Sequence, residues 1–387
     1  MCCEGNCKCQ PIEILSANRL ARNTFLRHNA HCKSGIIKEF PCKTQGDLYL
    51  WTLDHQHYLS KEEGQQIQSP ETAAEQFSQE KSKSMTNLHP LAGVYAAAVT
   101  PIKPDSTLDL ESVPALLRFL ASRGCHGALL FGTTGEGPSF SPKERETLMR
   151  SARVYRQQLP GFKLLAGTGT PSLSETIELT KLAFDLGYDG VVVLPPYYFR
   201  KATDDGLFNW FSEVITKAVP ANKYLLGYHI PVMTGIGFSM DLLARLKEAY
   251  PTQFAGVKDS SHDENFAVEL GKRFGKDLLI LNGTDSHFHH AMKNHAQGAI
   301  TAPANLISDN LRDIWDLFQA GKDPSEIQAK VTEQRHLLEK YSPIAPILKA
   351  LLHKIHDLPR WSVRLPLEEI SSGFEEQAFQ EFESIKV

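Results

Sequence analysis

From Leu91 onward, short apolar runs alternate with longer segments whose apolar residues recur at helical spacing. The runs cover residues 94–99, 127–131, 163–166, 190–194, 224–228, 254–257, 278–281 and 298–301. Between them, sets such as Leu116/Leu117/Leu120, Ile177/Leu179/Leu182/Ala183/Leu186 and Leu242/Leu243/Leu246 place apolar side chains on one helix face. Capping boxes mark two helix starts, Ser141-Pro142-Lys143-Glu144 and Ser172-Leu173-Ser174-Glu175; in each, a hydroxyl is set to accept from the third amide while a Glu reaches back. Nearly continuous apolar strands imply parallel strands buried on both faces. Eight strand–helix units in about 250 residues predict a (β/α)8 TIM barrel. The alternative is a doubly wound open sheet, but no glycine-rich dinucleotide turn follows the first strand. Further helical spacing at 327–340, 344–355 and 374–385 predicts a C-terminal helical appendage. The expected division is an extension over 1–88, a barrel over 89–307 and helices over 308–387.

The first 88 residues read differently. Stretches such as Glu62-Glu63-Gly64-Gln65-Gln66 and Glu80-Lys81-Ser82-Lys83-Ser84 are polar and without period, so a poorly structured extension is expected. A basic segment at 15–27 has the spacing of a short amphipathic helix, and Met85 is a conceivable alternative start. Six of the seven cysteines fall here, at Cys2, Cys3, Cys7, Cys9, Cys32 and Cys42, leaving Cys125 for the remainder. That distribution argues against a secreted disulfide framework, and the first four lack the paired spacing of a zinc knuckle.

Composition narrows the function class. Across 387 residues, 42% are hydrophobic, 22% are charged and the net charge is -4, the profile of a soluble globular enzyme. This balance gives no basic footprint for nucleic acid or an anionic membrane. No run reaches the roughly 20 apolar residues of a membrane span. A cytoplasmic protein is expected.

In a barrel of this type, chemistry gathers at the C-terminal ends of the strands. The sixth run leads into Gly256-Val257-Lys258-Asp259, and strand alternation puts Gly256 and Lys258 on one face. An amine facing a packed lumen is costly when charged, and in neutral form it can attack a ketone. The fifth run ends at Tyr228, whose phenol can pass protons. The second continues as Phe131-Gly132-Thr133-Thr134-Gly135-Glu136-Gly137, with hydroxyls and amides suited to a carboxylate. Taken singly, each has a bland alternative: a salt-bridged rim lysine, a packed tyrosine, an ordinary turn.

Together, Gly132-Thr133-Thr134-Gly135-Glu136, Leu194-Pro195-Pro196-Tyr197-Tyr198, Tyr228-His229-Ile230-Pro231 through Thr234-Gly235, and Gly256-Val257-Lys258-Asp259 resemble the family of dihydrodipicolinate synthase and N-acetylneuraminate lyase. The resemblance runs from about Leu91 to the C-terminus. It implies a class I aldolase, a carbon–carbon lyase in which Lys258 forms a Schiff base with a 2-oxo acid. Tyr228 would be the proton shuttle. Thr133 would link Tyr228 to Tyr198, the latter reaching across from a neighbouring subunit of a homo-oligomer, dimer or tetramer. Gly132, Thr134 and nearby amides would hold the carboxylate of pyruvate or another 2-oxo acid. No metal or organic cofactor is expected, because the iminium is itself the electron sink.

Two departures bear on substrate. Where the dihydrodipicolinate synthases place an Arg five residues after the tyrosine, this chain has Met233, which disfavours lysine-pathway condensation. Where sialate lyases show Gly-x-Asp-Glu after the seventh strand, this chain has Gly283-Thr284-Asp285-Ser286, keeping Gly283 and Asp285 and replacing Glu with Ser286. A hydroxylated, sugar-acid-type 2-oxo acid fits best, with 4-hydroxy-tetrahydrodipicolinate synthesis as the alternative. His287, His289 and His290 raise a rival metal-dependent aldolase, since His287 and His290 are spaced for shared ligation. A third reading is a non-catalytic 2-oxo-acid sensor, which loss of Lys258 or Tyr228 would have favoured.

Overall fold

The computed structural model describes residues 88–386; the early cysteines, the 15–27 segment and Met85 lie outside them. Eight parallel strands close into a barrel in chain order, β1 pairing with β8. They are β1 Gly93–Ala97, β2 Gly127–Leu130, β3 Lys163–Gly167, β4 Gly190–Val193, β5 Tyr224–His229, β6 Phe254–Asp259, β7 Leu279–Asn282 and β8 Gly298–Thr301. Each coincides with an apolar run to within two residues, β6 continuing past its run through Lys258 and Asp259.

The helices between them are α1 Val113–Ser122, α2 Pro142–Arg156, α3 Leu173–Asp185, α4 Asp204–Ala218, α5 Met240–Ala249, α6 Glu264–Phe274, α7 Phe288–Lys293 and α8 Ala304–Gln319. Ser141 and Glu144 make the full reciprocal cap of α2. At α3 the box is half made. The Ser172 hydroxyl accepts from the Glu175 amide, but the Ser172 amide donates instead to the Thr170 hydroxyl, 3.2 Å away. α8 packs on β1 and β8, so position 307 falls within this helix, where the backbone leaves helical angles at Ile307. Beyond it come α9 Ser325–Lys340, α10 Ile344–His356 and α11 Ser372–Lys386.

Two apolar populations follow from the strand pleat. Tyr95, Leu129, Leu165, Val192, Leu226, Leu279, Leu281 and Ile300 fill the lumen. Val94, Ala128, Leu164, Val191, Leu225, Ile280 and Ala299 alternate with them and meet the helices. β6 breaks this alternation. Phe254 and Val257 both belong to the outer population, although they stand three positions apart. The register explains why: Leu225 faces Phe254 but Leu226 faces Gly256, so Ala255 is an extra residue. Without that shift, Lys258 would project among the helices. With it, Tyr228 stands opposite Lys258 and both face inward.

Gly256 is what lets the shifted strand lie flat against β7, because a Cβ there would sit 1.8 Å from the Leu279 carbonyl oxygen. On the other face of β6, Asp259 is buried, and desolvation pushes its carboxyl up to about 6 against the pull of the Ser261 hydrogen bonds.

Two expectations follow. Gly256→Ala should destabilise the barrel by about 3 kcal/mol, seen as a lower denaturant midpoint, because backbone rather than a side-chain tip must yield. For Asp259 the folded value lies above the unfolded one, so its favourable contribution is complete below about pH 4 and is lost as pH rises through about 6. Asp259→Asn should therefore gain stability relative to wild type above pH 6, by about 3 kcal/mol at most, with the gap closing towards pH 4 in thermal melts. A gap independent of pH would contradict this assignment.

Candidate active site

Lys258 is 3% exposed, and its Nζ lies 4.0 Å from the centroid of the Tyr228 ring. The Tyr228 hydroxyl is 3.4 Å from Thr133 Oγ1, contributed by the loop after β2. Burial on its own would raise the phenol. The neighbouring Lys258 ammonium, with hydrogen bonds from Thr133, Lys258 and Ser260, more than offsets this and holds Tyr228 below its ordinary range. The site thus contains an amine and an acidified phenol side by side at the barrel's C-terminal mouth. Leu129, Phe131, Gly132, Thr133, Val192 and Tyr228 line a cavity there.

The loop after β2 is shaped by two residues in the left-handed region, Phe131 (φ 57°) and Glu136 (φ 56°), a conformation that costs a non-glycine residue energy. Short turns close it: the Glu136 amide donates to the Thr133 carbonyl, and the Gly137 amide to the Gly132 carbonyl. Thr134 is buried within the loop, whereas Thr133 opens onto the mouth. Thr133 and Lys258 thus both lie against Tyr228, with Gly132 and Thr134 flanking Thr133 in the loop.

Tyr198 is placed differently. It is 75% exposed, edge-on to the equally open Phe199, and Met233 is 61% exposed on the one-turn helix Pro231–Thr234 after β5. Neither approaches the amine within its own chain as a hydrogen-bond or ring partner.

The segment after β7 serves more than one purpose. Gly283 accommodates the Ser260 side chain, whose Oγ would lie 1.8 Å from a Cβ at that position. Asp285 is fully buried; one carboxylate oxygen meets Arg335 of α9 at 2.9 Å, and the other has no partner among the described residues. Its neighbour Thr284 also has a buried hydroxyl without a partner. The Ser286 carbonyl accepts from Gln328 of α9. Asp285 thus ties the tip of β7 to α9 and retains one free acceptor.

The three histidines diverge. His287 faces Glu264 at 3.5 Å, His290 pairs with Asn294, and His289 meets the Phe318 ring. The helical spacing of His287 and His290 does not make them converge, and among the described residues no three His, Cys, Asp or Glu side chains form a ligand set.

Ser260 was missed in the sequence. It is buried, hydrogen-bonded to Tyr228, and one residue past the end of β6, two beyond Lys258, so extending the strand's alternation by one step would have found it.

Comparisons with known proteins identify the family and the fold. A sequence profile described as the dihydrodipicolinate synthetase family matches residues 90–384. An uncharacterised DapA-like lyase from Chloroflexus aurantiacus is 36% identical over 281 residues, 72% of this chain and 92% of its own. The crystal structure of dihydrodipicolinate synthase from Agrobacterium tumefaciens superposes with a TM-score of 0.69 at 32% identity, covering 76% of this chain and 99% of that one. CdNal from Clostridium difficile, solved in complex with mannosamine, shares the fold, with a TM-score of 0.70 at 23% identity over 76% and 99% of the two chains. The chain belongs to the dihydrodipicolinate synthetase family, a carbon–carbon lyase on a (β/α)8 barrel.

Proposed function

We propose that this lyase cleaves or forms a carbon–carbon bond next to a 2-oxo acid through a Schiff base on Lys258. The contact between Lys258 Nζ and the Tyr228 ring, inside a lumen otherwise lined by apolar side chains, is the observation that carries the reading. As a free base, the amine attacks the C2 carbonyl to give a carbinolamine, and loss of water leaves the protonated imine. In the cleavage direction a base removes the C4 hydroxyl proton, the C3–C4 bond breaks, and its electrons enter the iminium to form an enamine. An aldehyde departs, the enamine is protonated at C3, and water releases pyruvate and the amine. Condensation is the reverse sequence. Tyr228 carries the protons, its lowered pKa making the phenolate accessible, with Thr133 and Ser260 orienting the hydroxyl.

Gly132, Thr134 and the adjacent amides are assigned to the substrate carboxylate. The substrate's far end is assigned to the segment after β7, Gly283, Asp285 and Ser286; the partnerless Asp285 oxygen and Thr284 hydroxyl are themselves enclosed in the protein. A hydroxylated, sugar-acid-type substrate fits this assignment best; mannosamine in the CdNal complex is a ligand of related chemistry. Met233 offers no cation to a second carboxylate, which weighs against 4-hydroxy-tetrahydrodipicolinate synthesis. The exposed Tyr198 and Phe199 support an oligomer in which Tyr198 completes a neighbouring subunit's proton path. The buried free thiol of Cys125 suits a reducing, cytoplasmic setting.

Reduction with borohydride in the presence of pyruvate, followed by peptide mass mapping, should place one adduct on Lys258 and none in Lys258→Ala. Turnover without an adduct would refute the mechanism. Steady pyruvate release from candidate sugar acids would separate an enzyme from a mere binder of 2-oxo acids. Tyr228→Phe should lower kcat by about a hundredfold or more while Lys258 stays reducible with pyruvate. An unchanged kcat would remove the phenol from the proton path.

A further inference from the structure

The second buried lysine of this fold lies outside the reacting centre. Lys349 of α10 has a side chain with no exposure, and it reaches Glu136 Oε1 at 2.5 Å and the Ser362 carbonyl at 2.6 Å. Glu136 is equally enclosed, and its other oxygen accepts from the Arg364 amide at 2.7 Å. The Arg364 guanidinium in turn meets Glu144 of α2 and covers the Phe140 ring. Two elements far along the chain thus grip one carboxylate in the loop that presents Thr133.

A buried ion pair is a poor source of stability, because desolvation of both charges offsets much of their attraction. Fixing a conformation is the better-attested use of such a pair, and here the conformation is specific. Glu136 adopts the left-handed backbone and donates its amide to the Thr133 carbonyl, so the carboxylate's anchoring fixes the turn that carries the Thr133 hydroxyl. Burial favours the neutral amine of Lys349, and Glu136 opposes that shift.

We infer that Glu136 and Lys349 are positioning residues: their buried contact sets the Thr133 hydroxyl against Tyr228, making α10 and the segment around Arg364 part of the reacting assembly. The inference rests on the Schiff-base reading, and its test separates the two. The phenol is faced by Lys258 from β6, by Ser260 just beyond that strand and by Thr133 from the β2 loop, and Lys258 is the charged group among them.

The test compares Glu136→Gln, Thr133→Val and their combination. Two quantities are read: the rate of borohydride-trapped pyruvate adduct formation, and the tyrosinate absorbance of Tyr228 against pH, taken by difference from Tyr228→Phe. Glu136→Gln should slow adduct formation by up to about a hundredfold, as misplacement of a reacting group does, and should raise the Tyr228 titration midpoint. Adding Thr133→Val should then cost almost nothing more, since both act through one hydroxyl. If Glu136→Gln does not fold, the paired neutral variant Glu136→Gln/Lys349→Met replaces it in the same comparison. Fully multiplicative effects, or an unmoved Tyr228 midpoint in the folded variant, would overturn the inference. Failure of wild type to form any adduct would instead overturn the Schiff-base reading beneath it.

Discussion

One amine held inward against one phenol is the constraint on which this structure depends. Lys258 reaches Tyr228 because β5 and β6 meet with an extra residue at Ala255, which reverses the facing of the rest of β6. Gly256 makes the shift sterically possible beside Leu279. The outward partner of that arrangement is Asp259, a buried carboxyl whose affinity for its proton is raised by desolvation. A lumen amine, a wedged glycine and a desolvated carboxyl on the outer face are three aspects of one register choice. The barrel accepts these local costs because its apolar lumen and helix-facing layer are otherwise continuous.

The electrostatics follow from the same contact. A tyrosine buried in an apolar lumen keeps its proton more tightly, as Tyr95 does lower in the barrel, where burial raises its phenol far above the usual range. Tyr228 is just as enclosed yet moves the other way, because a cation and hydroxyl donors surround it. The difference in neighbours between these two tyrosines separates a packing residue from the phenol proposed as proton carrier.

Much of this was legible in the chain. The apolar runs located every strand because buried parallel strands need little else, and the motifs around Thr133, Tyr228 and Lys258 located the mouth of the barrel. Other features were less visible. Lys258 faces inward only through a register shift, which depends on the pairing of two strands and leaves no periodic trace. Glu136 looked like part of a carboxylate cradle, but its partners Lys349 and Arg364 lie more than two hundred positions away, and only folding brings them to it. Asp285 was expected on substrate, and α9 supplies an arginine that occupies half of its carboxylate. The histidines after β7 had helical spacing, but a short 3-10 turn over Asp285–His287 precedes α7 and sends their rings apart. In each case a long-range partner decided what local spacing left open.

The most direct measurement of the central claim needs no second substrate. On the proposed mechanism, pyruvate joined to Lys258 becomes an enamine, and delivery of a deuteron from D2O to that carbon replaces methyl hydrogen with deuterium. Proton NMR of pyruvate in D2O should therefore show its methyl signal fading with wild-type protein and persisting with Lys258→Met. Equal loss of the signal with both proteins, or none with a wild-type enzyme that still turns over, would contradict an amine-bound intermediate.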